Sequence, residues 1–372
     1  MKYFFIFLIT TSTFAKNTPE AMRGALSALT ELLPYTSSEL KFSDPHHEKS
    51  INQALEKLTV NFQQAKHSKE IKRPTLEPSY QTLIKQVEDA KVHFSAGNKH
   101  YARIKLNQIS HLCISCHTQF PEDRLKSQIT NHQAIEKVFK EDDFNKANIE
   151  FILRDYQKAL SSYKKFIKKR AKKNRSNAKT DQYLLPQKQL FDRELYQAVF
   201  NSILIKTKVN GDAKEALKYL KNIEREIELP KYVLTEVEKW EDQLRKWTGE
   251  VNINKKIKSL KTDSVLDGDH DIDLLMISGN LSKKNYTDPA QLKQNDLLYW
   301  MAMTEYRVGK NSFYSLGDIY LKKCIEIYQK TKPAKECFQA YEEEVMFRHT
   351  GSSGVFLPQE VKEELKALKS LL

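Results

Sequence analysis

The sequence predicts an all-α protein, on three observations. Glycine is scarce, 10 in 372 residues, and strong helix formers fill most of the chain. Apolar residues recur every three or four positions over long stretches, the period of a helix with one buried face. Those stretches are parted by short Pro, Gly and Asn punctuation rather than by the alternating patterns of strands.

The start of the chain departs from that pattern. Lys2 precedes an apolar run from Tyr3 to Ile9, and Thr13-Phe14-Ala15 stands before Lys16. Small residues at −3 and −1 fit cleavage after Ala15, and the run is too short to span a membrane, so residues 1–15 are expected to be a signal peptide. No later window approaches eighteen apolar residues, so the exported protein is not expected to be integral to a membrane.

Residues 16–125 are expected to form a first domain. Thr18-Pro19-Glu20 supplies a capping hydroxyl, a first-turn proline and an acid at the positive helix end. Met22, Ala25, Leu26, Leu29, Leu32 and Leu33 form the stripe, and Pro34 is expected to end the helix. A second helix is expected from Glu48 to His67, with Ile51, Leu55, Leu58, Phe62 and Ala65 inward. A third is expected from Ser79 to Ala96, stopped by Gly97-Asn98. The fourth starts near Lys99 and carries Ala102, Leu106, Ile109, Cys113 and Cys116 on one face. Four helices with short links predict an antiparallel bundle.

The last of those helices ends in Cys113-Ile114-Ser115-Cys116-His117. Two thiols with two residues between them and an adjacent imidazole are the attachment signature of c-type haem. On one helical turn both sulfurs can reach the two vinyl groups of a porphyrin, and the histidine can face the iron. A thioredoxin-like redox pair would follow a strand, and none is visible. A zinc site would need further Cys or His at ligand spacing, and no second CxxC exists. The expected cofactor is one covalent haem c.

The run from Ala102 to Phe120, ending Cys-Ile-Ser-Cys-His-Thr-Gln-Phe, resembles the cytochrome c-prime family of four-helix-bundle haem proteins. The resemblance covers roughly residues 18 to 124. It implies thioether anchors at Cys113 and Cys116, an axial ligand at His117 and an aromatic neighbour of the porphyrin at Phe120. It also implies periplasmic assembly, in accord with the signal peptide. Pro121 stands where the family often has a basic residue, with Arg124 later. The family's sixth iron position is either vacant or filled by a methionine of the first helix, and here that methionine is Met22. A thioether ligand suits electron transfer, while a vacant site suits a small-gas binder or sensor of nitric oxide or carbon monoxide. Met22 can also be read as simple core filling. His93, His111, His46, His47, His67 and His100 are weaker candidates for the position.

Residues 126–250 change character and show paired amphipathic segments. Phe144 to Leu153 joins Tyr156 to Phe166 through Arg154-Asp155, and Leu190 to Val209 joins Ala213 to Ile223 through Asn210-Gly211-Asp212. Leu297 to Val308 and Tyr320 to Tyr328, within the C-terminal helical region 251–372, suggest a third pair. These resemble tetratricopeptide helix pairs, though without a regular period, and imply an α-solenoid-like surface for a protein or peptide. The basic run from Lys164 to Lys179 is expected to be a solvated, disordered linker. Asp267 to Asp273 is not a calcium loop, since Ile272 and Ser278 occupy its glycine and glutamate positions.

Cys324 and Cys337 are left over, and an even pair in an exported protein is a disulfide candidate. They flank Thr331-Lys332-Pro333, the expected turn of a helical hairpin. The net charge of +13 is compatible with an acidic redox partner, with contact at an anionic membrane surface, or with plain solubility. No nucleic-acid partner is expected. No acid–base constellation points to an enzyme; an electron carrier, a gas sensor and an adaptor held together by its haem are the readings left open.

Overall fold

The computed structural model describes residues 18–120, 132–140, 142–177, 185–260, 269–288, 294–308, 315–352 and 354–372. The protein is all-α. Apart from helices, the described residues hold only a two-residue antiparallel bridge that pairs Thr350 with Val355 and Gly351 with Gly354. Among them no helix is long and apolar enough to cross a membrane. The expected signal peptide at 1–15 lies outside the described residues. The chain forms two compact units that divide between Leu106 and Asn107.

The first unit contains α1 (Thr18–Thr36), α2 (Glu39–Ser43), a 3-10 turn (Pro45–His47), α3 (Glu48–Ala65), α4 (Glu77–Ser95) and most of α5 (Lys99–Asn107). Small residues Ala21, Ala25 and Ala28 give α1 a narrow buried face against α3. The approach is close: a Cβ on Gly24 would meet the Asn61 side chain. The Tyr80 hydroxyl donates to the Phe62 carbonyl at 2.6 Å and fastens α4 to α3. Pro34 does not end α1, contrary to the sequence expectation. It sits in the last turn, where it forgoes a single ladder bond, and Ser37 N–H still closes onto Leu33 O.

The expected fourth helix is two helices, α5 and then α6 (Ile109–His117), broken at Gln108. Gln86 Nε2 donates to the Lys105 carbonyl at 2.7 Å. That carbonyl is the acceptor Ile109 N–H would use in a continuous helix, so the amide intrudes on the ladder where the axis breaks.

The second unit begins with α6 and continues through α7 (His132–Val138), α8 (Asp143–Ile152), α9 (Tyr156–Asn177) and α10 (Leu185–Leu204). A π-helical segment (Ile205–Val209) extends α10. Then follow α11 (Ala213–Glu226), α12 (Lys231–Arg245), α13 (Ile253–Leu260), α14 (Asp271–Thr287), α15 (Gln294–Val308), α16 (Leu316–Ile327), α17 (Lys332–Arg348) and α18 (Gln359–Lys369). Helices α8 and α9 pack as a hairpin, as do α11 with α12, α15 with α16 and α16 with α17.

The basic run through Lys164 is helical as far as Asn177, not a linker. Tyr156, Ala159, Tyr163, Ile167 and Ala171 keep a helical stripe buried through it. Its lysines also find partners: Lys164 and Lys168 both pair with Glu226, and Lys165 with Asp143. Hydrogen bonds from Lys168 and Lys164 hold the Glu226 carboxyl down at about 2. In the first turn of α14, Asp271 and Asp273 serve the fold. They accept the indole N–H groups of Trp240 and Trp247 at 3.1 and 2.6 Å.

A disulfide joins Cys324 in α16 to Cys337 in α17, with Cα atoms 6.3 Å apart, inside the usual range. Thr331 caps α17 by accepting from Ala334 N–H. Closing so short a loop stabilises by about 3 kcal/mol in the chain-entropy account. The Cys324→Ser/Cys337→Ser variant is therefore expected to lose about that much in urea unfolding without reductant. A loss below about 1 kcal/mol would mean that helix packing alone holds this hairpin.

Candidate haem-attachment site

Helix α6 places Cys113 and Cys116 three residues apart, on one turn, with His117 as its last residue. Both cysteines are thiols outside any disulfide, Cys113 buried and Cys116 half-buried. Burial pushes the Cys113 thiol up to about 12, and the neighbouring Cys116 adds to the shift.

The orientation of His117 comes from α8. Nδ1 of His117 lies 2.5 Å from the carbonyl oxygen of Ile152. Ile152 ends α8, where a carbonyl has no partner in its own helix. A carbonyl only accepts, so Nδ1 carries the proton and donates it, which leaves Nε2 with a lone pair. Burial pushes the imidazole down to about 4; the Ile152 bond opposes the shift and the Arg154 charge adds to it. The ring is neutral near pH 7, the form in which histidine binds a metal.

Arg154 occupies the turn between α8 and α9 with φ of 62°, a left-handed conformation uncommon outside glycine. From there its Nη2 donates to the Phe120 carbonyl at 3.1 Å, and its Nε donates to the Tyr156 hydroxyl at 3.2 Å. The guanidinium also lies 6.0 Å from the centre of the Phe120 ring, which meets Tyr286 edge-on at 5.9 Å. The segment after the motif is thus held on two sides.

Helix α6 is bonded to α15, and Gln119 just beyond it to α16. Ser115, between the two cysteines, donates from Oγ to Glu305 Oε1 at 2.7 Å. His111 Nε2 lies 3.1 Å from Glu305 Oε2, so the tautomer protonated there donates to the same carboxylate. Gln119 Nε2 donates to the Tyr320 hydroxyl at 3.3 Å. Burial pushes the Glu305 carboxyl up, but the His111 bond and charge, the Lys208 charge and the Ser115 hydroxyl hold it below the usual carboxylate range. Burial pushes the Lys208 ammonium down, against the charge of Glu305. Lys208 belongs to the π-helical segment, whose backbone α14 approaches so closely that a Cβ on Gly279 would lie 2.2 Å from the Lys208 carbonyl.

The structure therefore gathers Cys113, Cys116, His117 and Phe120 on one segment of the second unit. Met22 is a partly exposed residue of α1, in the first unit. Of the other histidines, His93 meets Tyr101 at 4.4 Å, His46 pairs with Asp44 and His100 with Glu39. Sequence reasoning missed Ile152, Arg154, Lys208 and Glu305. Only Glu305 carried a readable sign, as the one charge in the apolar run from Leu297 to Tyr306.

A c-type haem asks for two thiols within one helical turn and a neutral imidazole with a lone pair on the outer nitrogen. This donor set fits those requirements. Among the described residues no group of three or more His, Cys, Asp or Glu side chains is arranged to hold a bare metal ion. No family model, curated protein or solved structure matches the chain.

Proposed function

We propose that this protein is an exported, periplasmic c-type cytochrome that transfers electrons, with one haem on Cys113 and Cys116 and His117 as its axial ligand. The observation that carries the reading is the Nδ1–H bond from His117 to the Ile152 carbonyl, which leaves Nε2 for a metal. A bound haem would supply a one-electron ferric–ferrous couple. The chain's own work is to hold it: two sulfurs anchor it, α8 fixes the imidazole tautomer, and Phe120 shields it. The buried thiol at about 12 argues against the rival dithiol chemistry, which needs a thiolate near neutral pH.

In the same reading the N-terminal helices are of the c-prime kind. The helix pairs beyond form a tetratricopeptide-like scaffold that docks an acidic redox partner, toward which the net charge of +13 would steer association. The decisive test is mass spectrometry and visible spectroscopy of protein matured with a c-type haem assembly system. One added haem that survives acid–acetone extraction supports the proposal; an unmodified mass or bound zinc overturns it.

A low-spin ferric spectrum and a ferrous protein closed to carbon monoxide are expected of the electron carrier. Wild-type protein that is high-spin and binds carbon monoxide would shift the function to small-gas binding.

A further inference from the structure

The cluster behind the attachment helix has no part in anchoring a haem. Glu305 and Lys208 are respectively 5% and 6% exposed. Two charges of opposite sign in so dry a place are costly to bury, and the fold does not leave their placement to chance. Glu305 is fixed by two donors of α6, one of them Ser115, inside the CxxCH motif itself. Lys208 is fixed by the π-helical segment and the close approach of α14, and its charge is felt by both Glu305 and Cys116. Hydrogen bonding of α6 would need only a neutral acceptor at position 305. A carboxylate there puts a fixed charge one hydrogen bond from the turn that carries both cysteines, and the Lys208 amine is near enough for Glu305 and Cys116 to act on its charge.

We propose that Glu305 and Lys208 set the reduction potential of the group held by Cys113, Cys116 and His117, Glu305 lowering it and Lys208 raising it. The inference rests on the haem reading above. A fixed anion stabilises the more positive, oxidised iron, and a fixed cation the reduced one. For a buried unit charge at roughly 10 Å and an effective dielectric near 20, the one-electron equilibrium changes on the order of tenfold. The residues are positioning residues, since neither contributes a thioether anchor or the axial imidazole.

The test uses the full mature chain at one pH and ionic strength, after haem content has been measured. Glu305→Gln keeps the shape and can still accept from Ser115, while Lys208→Met keeps the length of the side chain. Redox titration is expected to show the reduced-to-oxidised ratio at fixed potential rising about tenfold in E305Q, about 59 mV for a one-electron couple. In K208M it is expected to fall by a similar factor. Shifts of the same sign, or a variant that folds with haem and stays within about twofold of wild type, overturn the assignment. If E305Q does not fold, K208M decides alone: only a downward shift supports the proposal. Wild-type protein without haem would remove the functional reading and this one with it. Attached haem with unmoved potentials would remove this one only.

Discussion

Replacing Cys113 and Cys116 together with alanine is expected to leave a folded helical protein that carries no covalent haem. Both thioethers would form at these sulfurs, so the double substitution removes every anchor. Alanine is the best helix former, and α6 should keep its helix. The fold loses only two sulfur atoms, of which Cys113 alone is deeply buried, and a small buried deletion costs about 1 kcal/mol. The Glu305 and Ile152 bonds to α6 and the Tyr320 bond to Gln119 do not involve either sulfur and should persist. His117→Ala separates anchoring from ligation. It is expected to retain the haem mass after acid–acetone extraction while its spectrum loses the signature of the axial imidazole. Circular dichroism checks the fold and mass spectrometry the haem. A double variant that still holds haem through extraction would show that these thiols are not the anchors.

The CxxCH segment and the helical class are legible because both are local. CxxCH is five consecutive residues, and the stripes of α3 and α4 repeat within one helix, with Ile51, Leu55, Leu58 and Phe62 buried as their spacing requires. The hairpin bearing Cys324 and Cys337 is legible for the same reason, since Thr331 and Pro333 mark its turn. What decides the chemistry of the site is not local. The carbonyl that orients His117 lies 35 residues on, and the carboxylate that holds Ser115 lies 190 residues on. No periodicity announces either. The break at Gln108 is also tertiary in origin, for its cause is an amide on α4. Pro34 marks no boundary, because a proline costs a helix little in its last turn. The lysine run of α9 resembles a linker by charge alone, but its buried stripe and its acidic partners on α8 and α11 keep it helical.

Trp240→Ala is expected to be the most destabilising single substitution in the second unit. The indole is fully buried in α12, with Tyr196 and Phe200 of α10 at 5.6 and 5.5 Å. Its Nε1 donates to Asp271 Oδ2 at 3.1 Å, while Asp271 Oδ1 accepts from Arg307 Nε at 2.7 Å. One side chain thus ties α10 and α12 to the start of α14, and through Asp271 to α15, the helix that carries Glu305. Truncation removes the transfer free energy of the ring and leaves a cavity, about 3–5 kcal/mol together. It also strips a donor from a mostly buried carboxylate, which adds about 1–3 kcal/mol. Trp240→Phe keeps most of the packing and should lose only about 2 kcal/mol, chiefly the hydrogen bond and part of the ring. Urea unfolding followed by circular dichroism gives the comparison. A loss under about 1 kcal/mol in the alanine variant would mean that α10, α12 and α14 hold together without this indole.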